Sequence, residues 1–229
     1  MSWIKKDLEV EVTAEMESDF SKISKTDAYE VEIVDVHLQN GKDSDSVSVV
    51  VGVKTEDGDT NSTYFTVMGR DGNTYYMGSV AGKAVKKQHF GLSSINTLFD
   101  IVLGKEIFDI EPSEVEYKQW DNESKAMVDV KGDGFPDLIG KKVGVTVQMT
   151  REIDGADSKE YGTITHFFNH ETGLFSGEEE SDRTKLSKWL RTMKEFIVKE
   201  STTKSSSSFG KKADSTDDSE PKRKKWGVK

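Results

Sequence analysis

The residues with recognisable chemistry are aromatic and cationic, and they gather in Asn61 to Met77, NSTYFTVMGRDGNTYYM. Tyr64, Tyr75 and Tyr76 carry flat rings, and Arg70 sets a fixed positive charge among them. A flat ring beside a cation holds an unpaired nucleobase by stacking and its phosphate by charge, with little regard to base sequence. Lys83, Lys86 and Lys87 follow shortly after, and Trp120, Lys141 and Arg151 lie farther along. On this reading Tyr75, Tyr64, Tyr76 and Trp120 stack on bases, while Arg70, Lys83, Lys86, Lys87, Lys141 and Arg151 meet phosphates. Two plainer readings stand beside it. Strands favour Tyr and Phe for packing alone, and lysine runs are commonly a solvated face.

Other site chemistries find little support. His166 and His170, followed by Glu171, have the i, i+4 spacing of metal ligands on a helix. They fall on a predicted strand and its turn, where that spacing does not converge. His37 and His89 are isolated. Gly82-Lys83 and Gly104-Lys105 lack the rest of a phosphate-cradling loop. The Asp-Gly and Asp-Ser clusters lack a calcium-loop pattern and read as turns. Neither an enzyme nor a cofactor is expected.

The elements that must position these residues are mostly strands. Asp71-Gly72 is a strong two-residue hairpin signal, which predicts that Met68 faces Tyr75 and Val67 faces Tyr76. Tyr64, Thr66, Met68 and Tyr75 would then share one face, with Phe65, Val67 and Tyr76 on the other. Ala28 to Gln39 predicts a strand whose apolar parity shifts between Ile33 and Val34, the mark of a bulge. Val47, Val49, Val51 and Val53 alternate in a second strand. Gly78 to His89 reads as a small-residue, basic connection. Phe90 to Gly104 has helical spacing at Leu92, Ile95, Leu98, Phe99 and Val102, with Ser93 or Ser94 as N-cap.

Residues 105–136 form an insertion with β-like runs SEVEYKQW and AMVDVKG. Two strands follow, KKVGVTVQMTRE and EYGTITHFFN; of Phe167 and Phe168 only one can face inward. Three strands, a helix and two strands is the chain order of an OB-fold, a five-stranded Greek-key barrel with its helix between strands three and four. A sandwich fits less well. The expected organisation is an N-terminal extension (1–26), a barrel domain (27–180), a C-terminal amphipathic helix (181–200) and a disordered tail (201–229). The helix, about Asp182 to Lys199, carries a stripe of Leu186, Trp189, Leu190, Met193, Phe196 and Ile197 that packs on the barrel or meets a partner.

The chain of 229 residues is 34% hydrophobic and 32% charged, with no cysteine and a net charge of −10. Such a balance points to a partly unfolded chain. The absence of cysteine excludes disulfides and fits a reducing compartment. With no long apolar run, and no apolar signal-peptide core in Met1 to Phe20, a soluble intracellular protein is expected. The charge is uneven. Residues 201–229 hold eight Lys or Arg against four Asp or Glu, and residues 1–200 hold 24 against 38. In the tip PKRKKWGVK, Lys222, Arg223, Lys224, Lys225 and Lys229 surround Trp226, which is suited to a base or a partner's pocket. The tip also matches a nuclear-import pattern, a match of low specificity.

In AYEVEIVDVHLQNGKDSDSVSVVV, NTYYMGSVAGK, FPDLIGKKVGVTVQ, HFFNHETGLFSGEE and the basic PKRKKWGVK end, the chain resembles the single-stranded DNA-binding proteins of lytic bacteriophages. The schitovirus-type podoviruses offer the nearest likeness. The resemblance covers roughly residues 27–180 and the tail. It implies an OB-fold that coats unpaired DNA during phage replication and recombination, in the cytoplasm of the infected bacterial host. It also implies contact between the C-terminal end and host RNA polymerase that activates late transcription. Many relatives end in an acidic, aromatic-tipped tail; this chain ends basic, as the schitovirus type does. A different class of function is an acidic interaction or virion module that uses the second helix and the tail without binding nucleic acid.

Overall fold

Runs of valine at alternate positions create the central sheet. The computed structural model describes residues 22–121, 123–154, 157–178 and 184–200, and within them the protein is mainly β. In chain order the strands are β1 (Asp27–Asn40), β2 (Val47–Thr55), β3 (Thr60–Met68), β4 (Tyr75–Val80), β5 (Lys83–Gln88), β6 (Ser113–Asp121), β7 (Ala126–Gly134), β8 (Lys142–Asp154), β9 (Asp157–Phe168) and β10 (Ile197–Glu200). Helix α1 (Phe90–Leu103) follows β5, and α2 (Thr184–Thr192) precedes β10. No helix among the described residues is long and apolar enough to cross a membrane.

The main path runs β9-β8-β1-β2-β3, all antiparallel. Its two end strands meet through side chains. Asn61 Nδ2 donates to the Gly162 carbonyl at 3.1 Å, and the Ile164 amide donates to Thr63 Oγ1 at 3.0 Å. The inward residues (Ile33, Val49, Val51, Phe65, Val145 and Phe167 among them) form one apolar core. Helix α1 covers it with Leu92, Ile95, Leu98 and Phe99, and Phe135 stands edge-on to Phe99 at 4.8 Å. Gly104, at φ 64°, ends the helix and donates its amide to the Asp100 carbonyl. The β1 bulge falls at the parity change: the pairing with β2 shifts between Ile33 and Asp35, and Val34 turns outward. Ile23 is also in the core, so the last few residues set apart as an N-terminal extension join the fold; residues 1–21 lie outside the described residues.

Four expectations are corrected. Among the described residues ten strands stand where a five-stranded barrel was expected; the others are the β4–β5 hairpin, the β6–β7 hairpin formed by the β-like runs of the insertion, and β10. The helix N-cap is His89; Ser94 lies inside the helix, its hydroxyl donating back to the Phe90 carbonyl.

The hairpin predicted across Asn61 to Met77 does not form. The turn is present but spans three residues: the Gly69 amide donates to the Asn73 carbonyl at 2.8 Å, and Gly72 takes φ 73°. Beyond it β4 leaves β3 and pairs with β5, so Met68–Tyr75 and Val67–Tyr76 are not neighbours in a ladder. The competing turn is Ala81-Gly82, with φ of 49° and 78°. Positive φ at both central residues is what a two-residue type I′ turn requires.

The second helix ends at Thr192, well short of Lys199. Ile197 to Glu200 instead pairs in parallel with Thr150 to Ile153. The reason is an open edge: β1 covers β8 only from Lys142 to Val147. At the junction Thr26 Oγ1 accepts from the Met149 amide and donates to the Glu195 carbonyl, which ties the incoming strand down. An open backbone edge is a template for a further strand, and Ile197 and Val198 suit one.

Candidate nucleic-acid interface

Alternation along β3 decides which of its rings is open. Thr63, Phe65 and Val67 point inward, so Tyr64 and Thr66 point outward, and Tyr64 is 62% exposed. Across the outer face Tyr64 sits opposite Val50, and Val50 opposite His37. Tyr117 of β6 stacks on His37 with centroids 3.6 Å apart and planes 5° from parallel. His37 Nδ1 lies 2.9 Å from both Asp35 oxygens. His37 is therefore the post on which the β6–β7 hairpin is mounted, buried and held from two sides.

The β4–β5 hairpin stands off the core: every residue in its two strands is exposed or half-buried. Lys86 Nζ lies 4.2 Å from the centre of the half-buried Tyr75 ring. Tyr76, 48% exposed, is tilted against His89 at 5.7 Å. Lys83 and Lys86 are exposed, and the stem of Lys87 lies over Gly78, where a Cβ would collide with it. No Asp or Glu occurs between Asp71 and Asp100. In a chain of 42 acidic residues this leaves Lys83, Lys86 and Lys87 with no acidic neighbour within ten residues along the chain, and screening over about 8–10 Å makes local charge decide contact.

Tyr64 and the start of α1 enclose a cleft of about 300 Å³, with Thr66, His89, Phe90 and Thr163 among its walls. Gly91 makes this possible, because only a residue without a Cβ can lie so near the backbone of Thr66. Phe90 is 69% exposed. In the sequence it stands only as the start of the helical segment, ahead of the spaced residues Leu92, Ile95, Leu98, Phe99 and Val102. The signal was there: Phe90 lies off the stripe of Leu92, Ile95 and Phe99, and a large aromatic off its stripe faces solvent.

The remaining candidates are scattered. Arg70 is exposed in the turn, and Lys141 is exposed just before β8, its carbonyl accepting from the Ile33 amide. Arg151 is engaged: it donates to Glu160 at 2.7 Å, and its guanidinium lies 4.5 Å from the Phe196 ring centre. Trp120 is 52% exposed, opposite Met127 on the β6–β7 hairpin, and lines none of the cavities around Tyr64. Phe167 is in the core; Phe168 faces away from it but is covered, lying over Gly144 and edge-on to Phe175. Lys222, Arg223, Lys224, Lys225, Trp226 and Lys229 lie outside the described residues.

His166 is wedged edge-on between Phe175 and Trp189, and burial pushes its imidazole below the ordinary histidine value. His170 lies 3.6 Å from Glu30. Among the described residues no three His, Asp or Glu side chains are grouped to hold a metal ion.

No protein-family model matches the chain, and no curated protein matches it either.

Proposed function

We propose that the chain is a single-stranded DNA-binding protein built on an OB-type barrel, acting by stacking and phosphate contact without catalysis. The observation that carries the reading is the cleft between Tyr64 and Phe90. Two large rings, 62% and 69% exposed, flank one concave space next to a lysine-bearing hairpin with no acidic residue. A single exposed ring is ordinary, but two exposed rings on one concave space form the kind of apolar patch that marks a ligand groove. A stacked base contributes about 1–3 kcal/mol whatever its identity.

The barrel part of the reading is supported by the path β9-β8-β1-β2-β3, by the helix between β3 and β8, and by the side-chain hydrogen bonds linking β3 to β9. In such barrels the outer side of the second and third strands is the binding face, and Tyr64 belongs to it. The biological setting follows from the resemblance: coating of unpaired DNA in phage replication and recombination within the host cytoplasm. The basic tip would contact host RNA polymerase to activate late transcription.

The test is a fluorescence-polarisation titration of labelled single strand and duplex at two salt concentrations. The reading expects preference for the single strand and an affinity that falls with salt. An interaction module would show neither.

A further inference from the structure

The cleft beside Tyr64 does not stop at Phe90. Phe90 also walls a second cavity of about 220 Å³, whose far side is His166 and Phe175. Those two rings in turn line a third space, an open concavity of about 440 Å³ that Trp189, Lys188 and Lys185 of α2 also line. The three spaces share walls in series: Phe90 lines the first and second, and His166 and Phe175 the second and third. The described residues lining them include no Asp or Glu.

The third cavity is firmly built. Trp189 stands edge-on to His166 with centroids 4.4 Å apart, and Phe175 meets His166 from another side at 5.8 Å. Burial disfavours the charged imidazole, so His166 presents a flat, uncharged ring to this wall near neutral pH. Lys185 Nζ is paired with Glu178 at 2.8 Å, which pins the start of α2. At its other end Thr192 Oγ1 donates to the Trp189 carbonyl, and β10 then anchors the chain on β8. Lys188 is exposed at the rim.

We propose that this third cavity is a second nucleobase site on the same DNA tract. A base lies against Trp189 and Phe175, and Lys188 meets its phosphate. The proposal rests on the reading of the chain as a single-strand binder. A nucleobase is the occupant argued for because Phe90, His166 and Phe175 link this lining to that of the Tyr64 cleft, and because Trp189 and Phe175 offer flat rings. Lys188, exposed at the rim with no Asp or Glu in the lining, suits a phosphodiester over a basic or neutral peptide.

The experiment titrates the full chain with thymidine strands of about four and about sixteen nucleotides, the span of known OB site sizes. Four proteins are compared: wild type, Tyr64→Ala, Trp189→Ala and Lys188→Glu. Tyr64→Ala is expected to weaken both strands. Trp189→Ala is expected to weaken only the long one, by about five- to a hundredfold. Lys188→Glu should do the same with a shallower salt slope and an unchanged thermal midpoint, which separates binding from folding. If Trp189→Ala and Lys188→Glu bind the long strand like wild type while Tyr64→Ala does not, the second site is wrong and the first stands. If Tyr64→Ala binds both strands like wild type, the parent reading fails and takes this one with it. Equal loss on both strands from Trp189→Ala and Lys188→Glu, or loss of self-association with DNA affinity intact, also overturns the assignment.

Discussion

Gly91 lies against Thr66 so closely that a Cβ on it would overlap the Thr66 carbonyl oxygen and amide nitrogen. This contact seats the first turn of α1 on β3 and brings Phe90 to the same cleft as Tyr64. Gly91→Ala forces the helix away from backbone that cannot give. The expected cost is about 1–3 kcal/mol, the usual range for overpacking, read as a lower thermal midpoint. Single-strand affinity should fall with it, because the two rings no longer flank one space. An unchanged midpoint would mean that the helix start is loose.

Lys83, Lys86 and Lys87 lie in the one long stretch free of acidic residues. Replacing all three with Gln should make the plot of log affinity against log salt shallower by about 2, at roughly 0.7 for each single-strand phosphate that is no longer neutralised. Stability should not change, since these side chains are exposed or half-buried. An unaltered slope would assign the lysines to solvent.

His166 gives a dependence on pH. Burial holds its imidazole below the ordinary value, so the unfolded chain takes up a proton that the folded chain refuses. The stabilisation is whole above the unfolded value of about 6.5 and drains away as pH falls toward the folded one. The thermal midpoint should therefore drop between about pH 7.5 and about pH 5.5, and His166→Gln should flatten that drop. A midpoint that rises on acidification would contradict the burial.

Deleting Pro221 to Lys229 separates two roles for the basic tip. The truncated chain should bind thymidine strands as before and no longer co-purify with host RNA polymerase. Weaker DNA binding would make the tip an electrostatic arm.

Much of the framework was legible because it follows from strict local periods. The valines of β2, the parity change in β1, the stripe of α1 and the runs that became β6 and β7 all fix their own geometry. What failed involved choices between partners. Asp71-Gly72 does turn the chain, yet Ala81-Gly82 turns it more tightly, so Tyr75 pairs with Gln88 and not Met68. Ile197 reads as helix from its own neighbours and becomes strand because β8 has a free edge. The site was half legible. Tyr64 declares itself by alternation within β3. Its companions Phe90, Phe175 and Trp189 come from three distant segments, which only the tertiary fold brings together.

The most direct test is the affinity of Tyr64→Phe and Tyr64→Ala for a thymidine strand, with the thermal midpoint of each recorded alongside. Phe, which keeps the flat ring, should bind like wild type. Ala should bind about five- to a hundredfold more weakly, and both should melt within about 0.5 kcal/mol of the parent, as exposed positions do. Undiminished binding by Tyr64→Ala would contradict the claim that bases stack there.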